Sequence, residues 1–333
     1  MKGVIMDMLR GGETDRAVCV SLSGCQGMTP VEIQEKTGVF WPKAHQDPDL
    51  MTDLVMKSME LTGFENVRVP FDACVEPEAL GAEVKWGDEK TDPYITKYPY
   101  TENPLELEIP DDITTLGRIP VIIECISQLD KELSDVVIGS TVMGPITLVG
   151  ELIGTENLLR KTLTDPKLIR DLVERVKPVT LELISLYSDA GSDVVQVIEP
   201  SCSNDMIPPN TYKDIAHPIH KEIAEKTDTP TILHICGQID EIIPEIAGAG
   251  YNAITIHSGI NPIKTKKQTK NNLKILGDIS PDSQANATPK KVEQEVKKAI
   301  QRGIDFIEPY DGVVSTAKLK NLQTMTKTTK QTQ

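Results

Sequence analysis

Aromatic residues make up only 4% of the 333-residue chain, with two tryptophans and four phenylalanines. That scarcity removes the stacking platforms on which single-strand nucleic-acid binders rely. Basic residues are a minority too: 35 Lys and Arg face 50 Asp and Glu, a formal net charge of −15. A phosphate backbone is a poor partner for such a surface, because counterion release needs cations clustered on the contact face. The one basic stretch is the tail, where Lys318, Lys320, Lys327 and Lys330 follow one another without an intervening acid. Spaced this widely, they read as a solvated helix end. A run of about 18 uncharged apolar residues is missing, so no membrane-spanning helix is expected. Residues Met1 to Arg10 carry Asp7 inside their apolar stretch and lack a small-residue cleavage site, so they do not read as a secretory signal. Neither nucleic acid nor a membrane is expected as a partner, and the expected location is the cytoplasm.

Cysteine is sparse and scattered. Cys19, Cys25, Cys74, Cys125, Cys202 and Cys236 include no Cys-x-x-Cys pair and form no disulfide framework. A reducing compartment follows, with most of these thiols acting as small buried hydrophobes.

What the chain does contain is alternation. Eight short β-branched runs, at 17–23, 66–71, 136–144, 193–198, 231–235, 253–257, 273–278 and 304–308, are separated by helical stretches. Several are nearly continuous apolar runs, which suits parallel strands buried on both faces. Helix starts are marked at Thr164-Asp165-Pro166, opening a helix toward Asp189, and at Thr288-Pro289, opening one that ends near Gly303. This order predicts an α/β chain folded as a (β/α)₈ TIM barrel, one domain over 1–333. The acidic, proline-punctuated segment 72–119 interrupts the repeat as an insertion after the second strand. Its alternating patches at 83–86 and 93–98 suggest a surface hairpin, a candidate wall or lid over the barrel mouth.

Barrel chemistry sits at the carboxyl ends of strands, which shortlists Asp72, Glu199, Cys202, His234, Cys236, His257, Asp278, Glu308 and Asp311. His234-Ile235-Cys236-Gly237 is the most informative of these segments. Positions i and i+2 of an extended segment share a side, so an imidazole and a thiolate can meet at one point, and zinc favours both donors. The competing reading is a packed strand end with a hydrogen-bonded histidine and a buried thiol. Third-ligand candidates at neighbouring strand ends are Asp311, with Cys202 and His257 as alternatives, and a three-ligand site keeps a position open for substrate. Asp72 and Glu199 either accept hydrogen bonds from a ligating histidine or cap the turns after their strands. His217 and His220 read as a polar helix face, and Trp41 and His45 as anchors for a helix opening near Asp47.

Further segments carry a family resemblance: Leu9 to Arg16, Thr37 to Pro42, Gly63 to Asp72, Glu78 to Val84, Gly144-Pro145 and the His234 to Gly237 box. Together they resemble the uroporphyrinogen decarboxylase superfamily, a barrel fold, and within it the methylcobamide:coenzyme M methyltransferases of methanogens. The resemblance implies a zinc-dependent transfer of a methyl group, from a methyl-Co(III) corrinoid (methylcobamide) on a small partner protein to the thiol of coenzyme M. It also implies Zn²⁺ held by the box and by a cysteine after the last strand, where this chain reads Tyr310-Asp311-Gly312. After the sixth strand, where relatives are acidic, it reads His257-Ser258-Gly259. An oxygen donor is harder than sulfur and makes the bound thiolate a poorer nucleophile. Asp311 as direct ligand, Cys202 as substitute thiolate, and a degenerate site on a non-catalytic paralogue that docks a corrinoid protein all remain open. A decarboxylase-like lyase is a further alternative, although Val18 to Gly27 lacks the arginines expected for a porphyrinogen carboxylate site. Under the resemblance Arg68 either meets the sulfonate of coenzyme M or forms a structural ion pair inside the barrel.

Overall fold

The computed structural model describes residues 1–332. Eight parallel strands form one curled sheet: β1 (Val18–Cys19), β2 (Asn66–Val69), β5 (Val137–Met143), β6 (Val194–Ile198), β7 (Thr231–His234), β8 (Ala253–Thr255), β9 (Lys274–Ile279) and β10 (Phe306–Pro309). Their order in the sheet is β1-β10-β9-β8-β7-β6-β5-β2. Across the remaining seam Glu65 N–H donates to Cys19 O, while the Asn66 amide both accepts from Ser21 N–H and donates to Ser21 O. The architecture is therefore TIM-barrel-like, with helices alternating between the strands.

The polarity of the barrel interior changes along its axis. Val18, Val137, Val194, Ile232, Ala253, Leu276 and Phe306 meet at the amino-terminal end and are plugged by Ile5, Met8 and Leu9 of the helix Lys2–Leu9. Two residues further along the same strands, and so on the same face, come Gln196, His234, Thr255 and Glu308. The apolar floor thus gives way to a buried polar layer below the mouth, with Arg68, Thr141 and Gln196 at its centre.

The first strand is shorter than the run 17–23 predicts. Val20 N–H still donates to Ile307 O, but the amides of Leu22 and Ser23 go to the Glu308 carboxylate, so a side chain replaces the ladder. The sixth strand run also stops early, at Thr255, which leaves His257 in the following turn. Both marked helices form: Asp165 caps Pro166–Asp189 through Leu168 N–H, and Thr288 caps Pro289–Gln301 through Lys291 N–H.

Between β2 and β5 the chain makes the helix Val75–Ala79 and an antiparallel hairpin of β3 (Glu83–Lys85) and β4 (Tyr94–Lys97). The hairpin turn bends back onto the loop after β1 and the helix Val31–Thr37 that follows it: Gln34 Nε2 donates to Glu89 O at 2.9 Å, and Gln26 Nε2 to Asp92 Oδ2 at 3.4 Å. The tail helix Leu319–Gln331 buries Leu319, Leu322 and Met325 and leaves its lysines exposed. Among the described residues no helix is long and apolar enough to cross a membrane.

Candidate metal centre

His234 ends β7 with its ring fully buried at the carboxyl end of the sheet. Thr255, at the end of neighbouring β8, holds Nδ1 at 2.5 Å through its hydroxyl. With Nδ1 engaged by Thr255, Nε2 is the ring nitrogen that faces Cys236, whose Sγ lies 2.8 Å away. Asp311, past the end of β10, brings Oδ1 to 3.1 Å from Cys236 Sγ and 3.4 Å from His234 Nε2.

A fourth donor comes from a residue absent from the sequence shortlist. Cys25 Sγ stands 3.5 Å from Cys236 Sγ, and the donor atoms of Cys25, His234, Cys236 and Asp311 all lie within 4.8 Å of one another. The signal was available: Cys25 lies two residues past the run 17–23, at the barrel end where chemistry collects, between Gly24 and Gln26.

Local packing fixes this meeting. Gly24 has φ +102°, and a Cβ there would fall 2.0 Å from Gly312 N. Gly312, at φ +84°, would put its own Cβ 2.1 Å from Gln26 O. Two glycines let the loops after β1 and β10 touch backbone to backbone, and Gln26 N–H reaches Asp311 O at 3.4 Å. From below, Arg68 donates to Ser21 O, Gly24 O and Gln26 O, and Gln196 Nε2 also donates to Gly24 O at 3.1 Å. The carbonyls on both sides of Cys25 are thereby tied to the barrel interior.

Electrostatics couples the group. Hydrogen bonding with the Cys236 thiol draws Cys25 below the ordinary thiol range, against burial and with help from His234. The same bond, together with burial, holds Cys236 well above the ordinary thiol range. The pair therefore gives up one proton readily and retains the second. Burial lowers His234, but Asp311 and Cys25 outweigh it and raise the imidazole to about 9. Burial likewise opposes the Asp311 carboxylate, yet His234 and the Cys236 thiol keep it below its usual range.

Two sulfurs, one imidazole nitrogen and one carboxylate form a donor set that suits zinc. Zinc bonds of about 2.0–2.3 Å imply tetrahedral edges of about 3.3–3.8 Å. The observed separations of 2.8–3.5 Å show the donors converging on one small volume. His234 is fully buried while the Asp311 side chain is 32% exposed and both cysteines are half-buried, so the imidazole lies deepest in the group.

The other sequence candidates lie elsewhere. Cys202 belongs to a separate, fully buried group with Glu199 and His220. His257 accepts from Gly259 N–H through Nδ1 at 3.0 Å and lies outside the group of four. Asp72 pairs with both Arg118 nitrogens and with His45, away from His234. Glu199 caps neither its own turn nor a ligand histidine: its two oxygens accept the Ile146 and Thr147 amides at the start of the helix Pro145–Ile153. His220, expected on a polar helix face, is fully buried between Tyr212, Glu199 and Tyr251, because that face packs against the barrel. Among the described residues Arg68 forms no ion pair. It spends its donors on carbonyls and on Thr141 and Gln196, and Glu308 and the mouth groups act on it only through space. Asp278 pairs with Arg302 at 2.9 Å.

The uroporphyrinogen decarboxylase (URO-D) family model matches residues 2–332. The methylcobamide:CoM methyltransferase MtaA of Methanosarcina barkeri is 28% identical over 302 residues, covering 89% of this chain and 88% of its own. The methylcobamide:CoM methyltransferase MtbA of Methanosarcina mazei is 31% identical over 328 residues, covering 95% and 94%. A solved structure of a methyltransferase from Methanosarcina mazei superposes with a TM-score of 0.94 at 25% identity, over 99% of this chain and 98% of that one.

Proposed function

The chain belongs to the uroporphyrinogen decarboxylase family and is a methyltransferase within it, and from that premise we propose that it moves a methyl group from a corrinoid on a partner protein to a small thiol such as coenzyme M. The observation that carries this reading is the approach of His234 Nε2, Cys236 Sγ and Asp311 Oδ1 within 3.4 Å of one another at the carboxyl end of the sheet. Zinc bound there would supply the positive charge that lets a substrate thiol exist as thiolate near neutral pH.

The residues of the chain prepare that chemistry. Thr255 fixes the ring of His234, so that one nitrogen faces the mouth. Cys236, two residues on, presents its sulfur to the same point. Asp311 sets the outer rim, where a thiol arrives from solvent and where a docked corrinoid must come within reach. The buried layer below excludes water from the inner side. In the transfer, the sulfur's electron pair forms the new S–C bond while the Co–C bond breaks and its pair stays on cobalt. The single domain over 1–333, the corrinoid protein as partner and a reducing cytoplasmic setting complete the reading, and the six free cysteines support the last of these.

Elemental analysis of the purified protein tests the metal, and demethylation of methylcobalamin by coenzyme M, followed in the visible spectrum, tests the reaction. Stoichiometric zinc, lost in His234→Ala and Cys236→Ala, is the expected result. Full zinc content in both variants, or zinc-replete protein with no demethylation, overturns the reading.

A further inference from the structure

We propose that Cys25 is a metal ligand, so that the second sulfur of the centre comes from the loop after β1, and Asp311 is the oxygen donor beside it. This inference rests on the metal reading above and deepens it.

Position is the first argument. Cys25 Sγ lies 3.5 Å from Cys236 Sγ and belongs to the same four-donor group, whereas Cys202 lies in another group. Rigidity is the second. A ligand must be held where the cation sits, and the peptide carbonyls flanking Cys25 are fixed by Arg68 and Gln196 from inside the barrel. The Gly24 and Gly312 contact locks the loop carrying Cys25 to the loop carrying Asp311. A residue that merely filled space would not call for buried charged and amide donors on both neighbouring carbonyls.

Charge is the third argument. Two thiolates, one carboxylate and a neutral imidazole give three negative charges around one divalent ion. His234 is the one fully buried donor of the four, and the two sulfurs and the carboxylate are half-buried around it. Zinc favours sulfur over oxygen, so the sulfurs are the holding ligands and the carboxylate is the weaker one.

The test uses the full chain loaded with Co²⁺, whose near-ultraviolet sulfur-to-metal absorption grows with the number of thiolates bound. Wild type is expected to show the intensity of two thiolates, and Cys25→Ala about half of it with at least ~10-fold weaker metal binding. Cys202→Ala is expected to match wild type. Adding Asp311→Cys to Cys25→Ala restores a second sulfur from the facing loop, so recovery of the band in the double variant shows that the single variant folds. Full two-thiolate intensity in Cys25→Ala overturns the role of Cys25 and leaves the metal reading intact, provided His234→Ala abolishes binding. Wild-type protein that binds neither Co²⁺ nor Zn²⁺ overturns both.

Discussion

Cys25 and Cys236 hold their sulfurs 3.5 Å apart although 211 residues of chain separate them. One follows the first strand of the sheet and the other follows β7, and neither loop reaches the other without the curl of the whole sheet. Two thiols this close oxidise together when no cation lies between them. In metal-free protein, hydrogen peroxide should take one hydrogen from each sulfur, leave as water and join them as a disulfide. Peptide mass spectrometry should find the 25-to-236 cross-link in that sample and little of it in zinc-loaded protein. Equal cross-linking in both samples counts against a shared metal.

The Thr255 hydroxyl is the only protein group that fixes Nδ1 of His234 among the described residues. Thr255→Val keeps the shape and deletes this hydrogen bond, which frees the ring to turn and to change tautomer. Metal affinity should fall about 10–100-fold, measured by competition with a chelator, while the fold stays intact by circular dichroism. Unchanged affinity refutes the orienting role.

Arg68 is buried beneath the mouth and holds Ser21 O, Gly24 O and Gln26 O together. Arg68→Leu leaves Gln26 O without a donor, because Gln196 still serves Gly24 O and Asn66 still serves Ser21 O. The loss should be about 1–3 kcal/mol in denaturant unfolding. Zinc affinity should drop with it, although no ligand is touched. A variant that loses stability but keeps wild-type affinity shows that the Cys25 loop holds itself.

Burial alone would raise the Asp72 carboxyl, but the Arg118 charge, two hydrogen bonds from that guanidinium and His45 carry it far below the usual range. Asp72→Asn leaves the Arg118 guanidinium with Glu78 as its remaining carboxylate partner, and the cost near neutral pH should be about 1–3 kcal/mol. The sign of the pH effect follows from linkage. The unfolded carboxyl titrates near 3.9, so this stabilisation is complete above about pH 4 and is lost as pH falls toward the depressed folded value. Unfolding midpoints of wild type and variant should therefore converge as pH drops below about 4. A gap that stays constant or widens there contradicts the assignment.

Much of the site was legible in one dimension because strand geometry is local. His234 and Cys236 share a side by the two-residue period, and both come to one point at the strand end. Asp311 follows the last strand run, and the parallel sheet carries it to within 3.1 Å of Cys236 Sγ. Cys25 was missed because the first ladder is two residues long and its continuation hangs on Glu308, a replacement that no β-pattern announces. Glu199 was misplaced for a similar reason. It serves the helix Pro145–Ile153 that follows the neighbouring strand β5, a relationship set by sheet order and not by sequence distance.

By itself, then, the amino-acid sequence determined the alternation of strands and helices, the marked helix starts and the pairing of an imidazole with a sulfur at one strand end. All of these depend on periods of two or 3.6 residues and on caps within a turn. Only the tertiary structure decided that a thiol near the amino terminus and a carboxylate near the carboxyl terminus complete the group. Curling a sheet with the order β1-β10-β9 through β2 makes the first and last strands neighbours, and two mutually fitting glycines then set the distance between their loops. Contacts between residues so far apart arise from the closure of the sheet, and no window of sequence contains it.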